Sequence, residues 1–147
     1  PLRALREWRR VLRLGGFVAM ACWGRAAVQP MMKMCNSLLE RYGVRLPPGP
    51  SYAFGTVKEC RGYLRKAGLR DINSSVVELG YPLPNAEAWW TILWNGGLRG
   101  NVSRLDPKDL SRFRRDYLKE VESLRQRDGI PLPLPAILAA GRKPEAP

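Results

Sequence analysis

The residues of this sequence best suited to chemistry are aromatic and sulfur-containing side chains that could hold a small organic molecule. The candidate substrate-binding residues are Trp23, Arg25, Met31, Trp89, Trp90 and Trp94. Trp23 ends an apolar run, and Arg25 lies in the short loop after it, where α/β sheets present ligand-contacting residues. Methionine can line a pliable pocket because its thioether side chain adapts its shape. These residues predict a pocket for an organic substrate.

Four of the six candidates also have a purely structural explanation. Met31 belongs to a stripe of apolar residues at helical spacing, which is more typical of core packing than of a pocket. Trp89 and Trp90 lie about a hundred degrees apart around a helix axis, so they and Trp94 cannot all face one narrow core. At least one indole should therefore face a cavity, a partner or solvent. The alternative is that all three rings attach this helix to a sheet.

No residue is identified as catalytic from the sequence. Glu78 and Glu87 are the nearest options for a general base, and either can equally be a surface acid. The chain has no histidine, and Cys22, Cys35 and Cys60 lie in apolar settings without C-x-x-C spacing. We therefore predict reduced thiols and no metal site.

The element that positions Trp23 and Arg25 is the apolar run from Phe17 to Trp23. An amphipathic helix from Leu2 to Leu12 precedes it, and the Gly15-Gly16 pair supplies a stop between the two. Because apolar and polar residues do not alternate in this run, we predict a strand that is covered on both faces, as in an α/β sheet.

The remaining periodic segments extend this pattern along the chain. They predict helices at 28–42, 57–67, 86–94 and 107–124, strands at 71–81 and 135–143, and a loop at 47–50. Thr56, Asn85 and Asp106 are each followed by helical periodicity, which predicts that they cap the last three helices. Pro82 should end the strand before it.

Three motifs resemble class I methyltransferases that use S-adenosylmethionine. The first motif is R-V-L-R-L-G-G at 10–16, which resembles the segment that leads into the family's fifth strand. Leu14 stands where the family usually has proline. L-R-K-A-G-L-R-D-I at 64–72 resembles the approach to the sixth strand, and A-A-G-R-K-P at 139–144 resembles the end of the last strand. Trp89-Trp90, Trp94, Gly97 and Arg99 resemble the small-molecule methyltransferases related to quinone-modifying enzymes.

This resemblance implies an α/β fold that is the C-terminal half of a Rossmann-like methyltransferase sheet, with strands five, six and seven and flanking and inserted helices. The last strand would lie antiparallel between the other two, and the segments 27–50 and 85–129 would be inserted helical segments that cover the cleft. Residues 1–147 would then be a partial domain, the substrate-side half. Since Pro1 would stand in mid-domain without a methionine, we expect a truncated or partial polypeptide.

The half that would bind the cofactor, S-adenosylmethionine, is missing from this sequence. No glycine-rich loop follows an apolar strand, and no acidic residue ends a second strand to hold ribose hydroxyls. We therefore expect the isolated chain to be inactive and to function as part of a complete methyltransferase that acts on a small organic substrate. The strand 17–23 would lack a neighbour, which predicts association with the missing N-terminal half or self-association through the open edge.

The formal net charge of +12 raises the alternative of a basic module that binds RNA or an acidic protein. A further alternative is a methyltransferase-like subunit that supports a catalytic partner. The positive residues are spread over at least three amphipathic helices, which favours a solvated face over a binding patch. No apolar stretch reaches membrane-spanning length, and no signal-peptide pattern is present. We expect a cytoplasmic protein.

Overall fold

The computed structural model describes residues 1–46 and 54–145, which form helices and strands in two compact units. The elements are α1 (Leu2–Val11), β1 (Phe17–Trp23), α2 (Met31–Arg41), α3 (Val57–Lys66), β2 (Arg70–Glu78), β3 (Tyr81–Leu83), α4 (Ala86–Asn95), α5 (Arg99–Val102), α6 (Pro107–Glu122), β4 (Ile130–Leu132) and β5 (Pro135–Arg142). Within the described residues, unit 1 comprises 1–27, 54–79 and 134–145, and unit 2 comprises 28–46 and 80–133. The predicted mixed α/β class is confirmed.

The sheet of unit 1 has the strand order β1-β5-β2. Leu138 of β5 lies opposite Ala21 of β1 on one side and Ser75 of β2 on the other, and both pairings are antiparallel. The last strand therefore lies between the other two, the position expected for residues 135–143. Neighbouring strands in the described part of this sheet are all antiparallel, so the parallel pairing that characterises a Rossmann sheet is not observed.

Helices α1 and α3 cover one face of this sheet. Leu5 of α1, Leu64 of α3 and Ile137 of β5 are almost inaccessible and belong to one apolar cluster. The start of α3 follows the predicted capping pattern, since the Thr56 hydroxyl accepts a hydrogen bond from the Glu59 amide at 3.2 Å. Gly68 follows α3 with a φ of +83°, which an L-amino acid side chain disfavours, and lets the chain turn into β2.

The other face of the sheet is open along β1. Phe17 and Trp23 are 65% and 54% exposed, whereas the intervening Val18, Met20 and Cys22 point toward the helices and are half-buried. The prediction of a strand at 17–23 is confirmed, but the prediction that it is covered on both faces is wrong. Both helices of unit 1 among the described residues lie on the same face, and β1 pairs there with β5 alone. An apolar run by itself does not report whether a second layer is present.

Unit 2 is built from α2, α4, α5, α6 and a two-stranded ribbon of β3 and β4. Its core contains Met31, Cys35, Leu38, Leu39, Trp89, Leu93, Phe113, Tyr117 and Val121. The N-terminal caps of α4 and α6 are Asn85 and Asp106, as predicted. The helices of the predicted segments 27–50 and 85–129 belong to this unit, and the covering of a cleft by them stays a prediction.

Two prolines lie in the ribbon, and one of them is Pro82, which was predicted to end a strand and instead lies within β3. Pro82 pairs with Pro131, between the pairs Tyr81–Leu132 and Leu83–Ile130. Opposed positions in an antiparallel ladder alternate between exchanging and not exchanging backbone hydrogen bonds. Because proline has no N–H, facing prolines fit a pair that exchanges none.

Several boundaries differ from the predicted ones. The helix predicted from residue 28 begins at Met31, because Val28 has a φ of +56° and Pro30 is the N-cap. The strand predicted to reach 81 ends at Glu78, and α5 was not predicted. The loop predicted at 47–50 lies outside the described residues.

We predict that Leu64→Ala lowers the free energy of unfolding by about 2–5 kcal/mol, because it leaves a cavity between α3 and the sheet. Leu14→Ala is the matched control, since Leu14 is 57% exposed and its truncation should cost no more than about 0.5 kcal/mol. Urea unfolding measures both values. Equal losses in the two variants would show that the α3–sheet contact is not a main source of stability.

Candidate functional site

Helix α4 divides its tryptophans between two faces. Trp89 is fully buried together with Leu93, one turn later, whereas Trp90 and Trp94 share the next face and are half-buried. The prediction that the three indoles cannot share one narrow face is confirmed. The helix is held at its start by Asn85, whose side-chain oxygen accepts a hydrogen bond from the Ala88 amide at 2.9 Å.

The inward face carries a buried chain of hydrogen bonds. Trp89 Nε1 donates to the Tyr117 hydroxyl at 2.7 Å, and this hydroxyl donates to the Met31 carbonyl at 2.8 Å. The two candidate binding residues Met31 and Trp89 are thus joined through Tyr117, with no exposed surface of their own. Both side chains therefore lie in the core of unit 2, where a structural role explains them.

Burial also sets the protonation of this region. It raises the pKa of the Tyr117 hydroxyl and raises the pKa of the Cys35 thiol to about 12. Both groups are therefore protonated at neutral pH, and neither can act as a base or a nucleophile.

The outward face of α4 carries two adjacent indoles, each with one guanidinium beside it, and we call Trp90, Trp94, Arg99 and Arg114 the aromatic ladder. The two indoles stack with centroids 5.7 Å apart and planes inclined by 18°. The Arg114 guanidinium lies 5.4 Å from the Trp90 ring centroid, and that of Arg99 lies 5.1 Å from the Trp94 centroid. Trp90 and Trp94 are the predicted candidates that the fold brings together.

The ladder combines flat apolar surface with positive charge. Aromatic rings favour planar molecules, and guanidinium groups form paired hydrogen bonds with oxygen anions. Arg99 and Arg114 are both exposed, so their remaining donors are open to solvent. The arrangement suits a planar conjugated molecule that carries negatively polarised oxygen atoms.

Glu87, one of the two options for a general base, lies beside the ladder in an ion pair. Its Oε2 is 2.6 Å from Arg114 Nη2. This pairing orients Arg114 over Trp90. Glu78, the second option, is exposed at the end of β2 in unit 1. General base catalysis by either residue stays a hypothesis.

Trp23 and Arg25 both belong to unit 1. Trp23 is exposed at the end of β1, and Arg25 Nη2 donates to Glu59 Oε1 at 2.7 Å. The hydrogen bond from the Thr56 hydroxyl and then the Arg25 guanidinium hold the pKa of Glu59 below its usual range. Arg25 therefore ties the loop after β1 to the first turn of α3.

Two ladder residues were not among the sequence candidates. Arg99 follows Trp94 closely and was part of the pattern that suggested the family. Its spacing from Trp94 was therefore the sequence signal that could have identified it as a site residue. Arg114 comes from α6 and reaches Trp90 only through the packing of α4 against α6. No local sequence pattern indicates such a contact.

Cys22, Cys35 and Cys60 are free thiols, as predicted, and Cys22 Sγ lies 3.7 Å from Cys60 Sγ. Residues 1–46 and 54–145 contain no group of three or more cysteine and carboxylate side chains arranged to hold a metal ion. Throughout the same residues, every helix is too short or too polar to cross a membrane.

Comparison with known proteins does not assign this chain to a family. No family model matches this chain, and no curated protein matches it. The resemblance to methyltransferases therefore stays a prediction.

We predict that Tyr117→Phe lowers the free energy of unfolding by about 1–3 kcal/mol, because the Trp89 N–H and the Met31 carbonyl both lose a buried partner. Tyr63→Phe is the matched control, since the Tyr63 hydroxyl has no hydrogen-bond partner among the described residues. It should change the value by no more than about 0.5 kcal/mol. Urea unfolding followed by tryptophan fluorescence compares them, and identical transitions would contradict a stabilising role for the hydroxyl.

Proposed function

We propose that this chain supplies the substrate-recognising part of an S-adenosylmethionine-dependent methyltransferase that acts on a small organic molecule. The observation that carries the proposal is the position of β5, antiparallel and between β1 and β2, with α1 and α3 on one face. The resemblance implies a last strand that lies antiparallel between strands five and six, and β5 has this position between β1 and β2. The Gly15-Gly16 turn, where Gly15 has a φ of +69°, gives further support.

The described glycine turns of this chain do not fit the methyl donor. The loop after β1 begins with Gly24, whose N–H donates to the Pro135 carbonyl at 2.7 Å, and a Cβ built on this glycine would lie 3.1 Å from the same carbonyl oxygen. That glycine therefore serves close packing of β1 on β5. Gly96 and Gly97 follow a helix instead of a strand. Since methyl transfer requires the donor and the acceptor to be held nearly in line, the isolated chain should be inactive.

The acceptor molecule in this proposal is planar and conjugated, and it lies on the aromatic ladder. Trp90 and Trp94 would stack against its plane, and Arg99 and Arg114 would face its oxygen substituents. A hydroxyl that is to be methylated becomes more nucleophilic as it loses its proton, and nearby guanidinium groups stabilise the resulting anion. The chain's contribution is therefore to bind, orient and polarise the acceptor.

We further propose that β1 is the edge on which the cofactor-binding part of the complete protein docks. Its exposed residues Phe17 and Trp23 lie on the same face as Leu138 of β5, which is 44% exposed. A strand edge with unpaired backbone groups next to an apolar face is a template for another chain. Without that part, a second copy of this chain would occupy the same edge.

Binding of an acceptor can be tested with 2-hydroxy-1,4-naphthoquinone, a planar compound that is anionic at neutral pH. We expect Trp94→Ala to weaken binding about tenfold, because a stacking partner contributes about 1–3 kcal/mol. The control is Trp8→Ala, since Trp8 is 44% exposed on α1 of unit 1, whereas the ladder belongs to unit 2. Isothermal titration calorimetry gives both affinities, and equal weakening by the two substitutions would argue against the ladder as the binding surface.

The methyltransferase assignment needs a separate test with the donor. Calorimetry with S-adenosylmethionine should detect no binding to this chain, and binding to a polypeptide that also includes the residues encoded upstream of Pro1. If neither polypeptide binds the donor, the assignment fails, even if the naphthoquinone binds to the ladder.

Docking through β1 predicts concentration-dependent self-association of the isolated chain. Sedimentation velocity should show dimers or larger species at micromolar to millimolar concentrations, because exposed strand edges and apolar faces pair in this range. The double substitution Phe17→Lys with Leu138→Lys should suppress them, whereas Val11→Lys should not, although Val11 is 68% exposed. A monomer at all concentrations would refute this part of the proposal.

A further inference from the structure

A cavity of about 580 Å³ in unit 1 is lined by an unusual density of positive charge. Its lining includes Arg9, Arg61, Arg65, Gly68, Arg70 and Asp71. Four guanidinium groups and one carboxylate give this lining a formal net charge of about +3 at neutral pH. We call this the arginine cavity.

Three elements bring these arginines together. Arg9 lies in the last turn of α1, Arg61 and Arg65 lie one turn apart on α3, and Arg70 is the first residue of β2. Gly68 allows the closest approach, since a Cβ built on it would lie 3.1 Å from Arg9 Nε and 3.2 Å from Arg9 Cζ. A larger residue at 68 would therefore push the Arg9 guanidinium aside.

The positive charges of the cavity lack partners. Within the described part of the chain, none of its four arginines forms an ion pair or a side-chain hydrogen bond, and the buried Nε atoms of Arg9 and Arg61 have no acceptor. Asp71, the only carboxylate of the lining, has Oδ2 4.0 Å from Arg142 Nε. Several arginines outside the lining do have carboxylate partners, in the pairs Arg10–Glu7, Arg25–Glu59, Arg41–Glu120, Arg114–Glu87 and Arg125–Glu122.

Helix capping explains only part of this arrangement. Basic residues are favourable in the last turn of a helix, where Arg9 and Arg65 lie, because the C-terminal carbonyls carry partial negative charge. This effect of the helix C-terminus does not account for Arg61 in the middle of α3, for Arg70 on a strand, or for buried Nε atoms without acceptors. A partly desolvated guanidinium without a counter-charge is costly, and an anion bound by its outer nitrogens would compensate that cost.

We propose that the arginine cavity binds a phosphate-type oxyanion carried by a small molecule, with a diphosphate group as the best match. Guanidinium groups bind phosphate oxygens in pairs, which lysine cannot do. One phosphate monoester carries about −1.5 to −2 at neutral pH, so a diphosphate comes closer to neutralising the lining. The volume lies within the range of about 300–1,000 Å³ that is usual for small-molecule sites and leaves room for the rest of the ligand.

The geometry favours a compact anion over a nucleic acid. A single-stranded nucleic acid requires positive charge along a groove that follows its backbone, with aromatic rings for stacking. The four arginines instead converge on one cavity, whose lining has no aromatic side chain. The cavity is also independent of the aromatic ladder, which belongs to unit 2.

Titration with inorganic pyrophosphate tests the proposal. The chain should bind it, and Arg9→Gln and Arg61→Gln should each weaken binding by about tenfold or more, because hydrogen bonds to charged groups are lost. Arg3→Gln and Arg104→Gln remove the same charge from exposed positions and should change affinity by less than about threefold. Equal weakening by all four substitutions would overturn the site in favour of general charge attraction.

Thermal unfolding separates loss of binding from loss of fold. Without anion, Arg9→Gln should unfold at the same temperature as the parent chain or higher, since it removes an unpaired charge. Pyrophosphate should raise the unfolding temperature of the parent chain and not that of the variant. An unchanged unfolding temperature of the parent chain at saturating pyrophosphate would refute the proposal.

Two further ligands identify the source of the phosphate. Vesicles containing phosphatidic acid should not bind; binding that pyrophosphate displaces would retain the site and assign it to a lipid headgroup. A ten-nucleotide single-stranded RNA should bind more weakly than pyrophosphate. Tighter RNA binding that responds to Arg3→Gln and Arg104→Gln as much as to Arg9→Gln would overturn the cavity as a small-molecule site.

Discussion

One-sided burial of a three-stranded sheet is the constraint on which unit 1 depends. Leu5, Leu64 and Ile137 are withdrawn from solvent between two helices and the sheet, and each such side chain contributes about 1.5–3 kcal/mol relative to its exposed state. Among the residues that the structure describes, nothing comparable covers Phe17 and Trp23 on the opposite face. The same apolar composition that forms β1 therefore leaves a surface and an edge that another layer can complete.

The core of unit 2 differs from that of unit 1, because it contains polar groups that need hydrogen-bond partners. The Tyr117 hydroxyl satisfies both the Trp89 N–H and the Met31 carbonyl, so α2, α4 and α6 are joined by hydrogen bonds as well as by apolar contact. With Trp89 fixed inward, the helical repeat directs Trp90 and Trp94 outward. The exposed ladder is thus a geometric consequence of the buried network.

Local signals predicted much of the secondary structure. The bounds of β1, the stop at Gly15 and the caps at Thr56, Asn85 and Asp106 all depend on residues within a few positions of one another, and the structure agrees with each. Features that depend on a second element were harder to predict. An apolar strand does not encode whether both of its faces are covered, and the contact between Arg114 and Trp90 requires knowledge of how two helices pack. The facing prolines of β3 and β4 likewise make sense only once the register of the pair is known.

The distribution of charge is likewise difficult to predict from local sequence alone. Along the chain, the arginines are spread over several helices, and such a spread is typical of solvated faces. In three dimensions, the ends of α1 and α3 and the start of β2 meet, so arginines that are 52 and 61 residues apart from Arg9 line one cavity. A charge pattern read from sequence therefore measures only the linear density of positive residues. The local density that binds an anion is set by the turns, and here Gly68 both ends α3 and allows Arg9 to reach the residues that follow it.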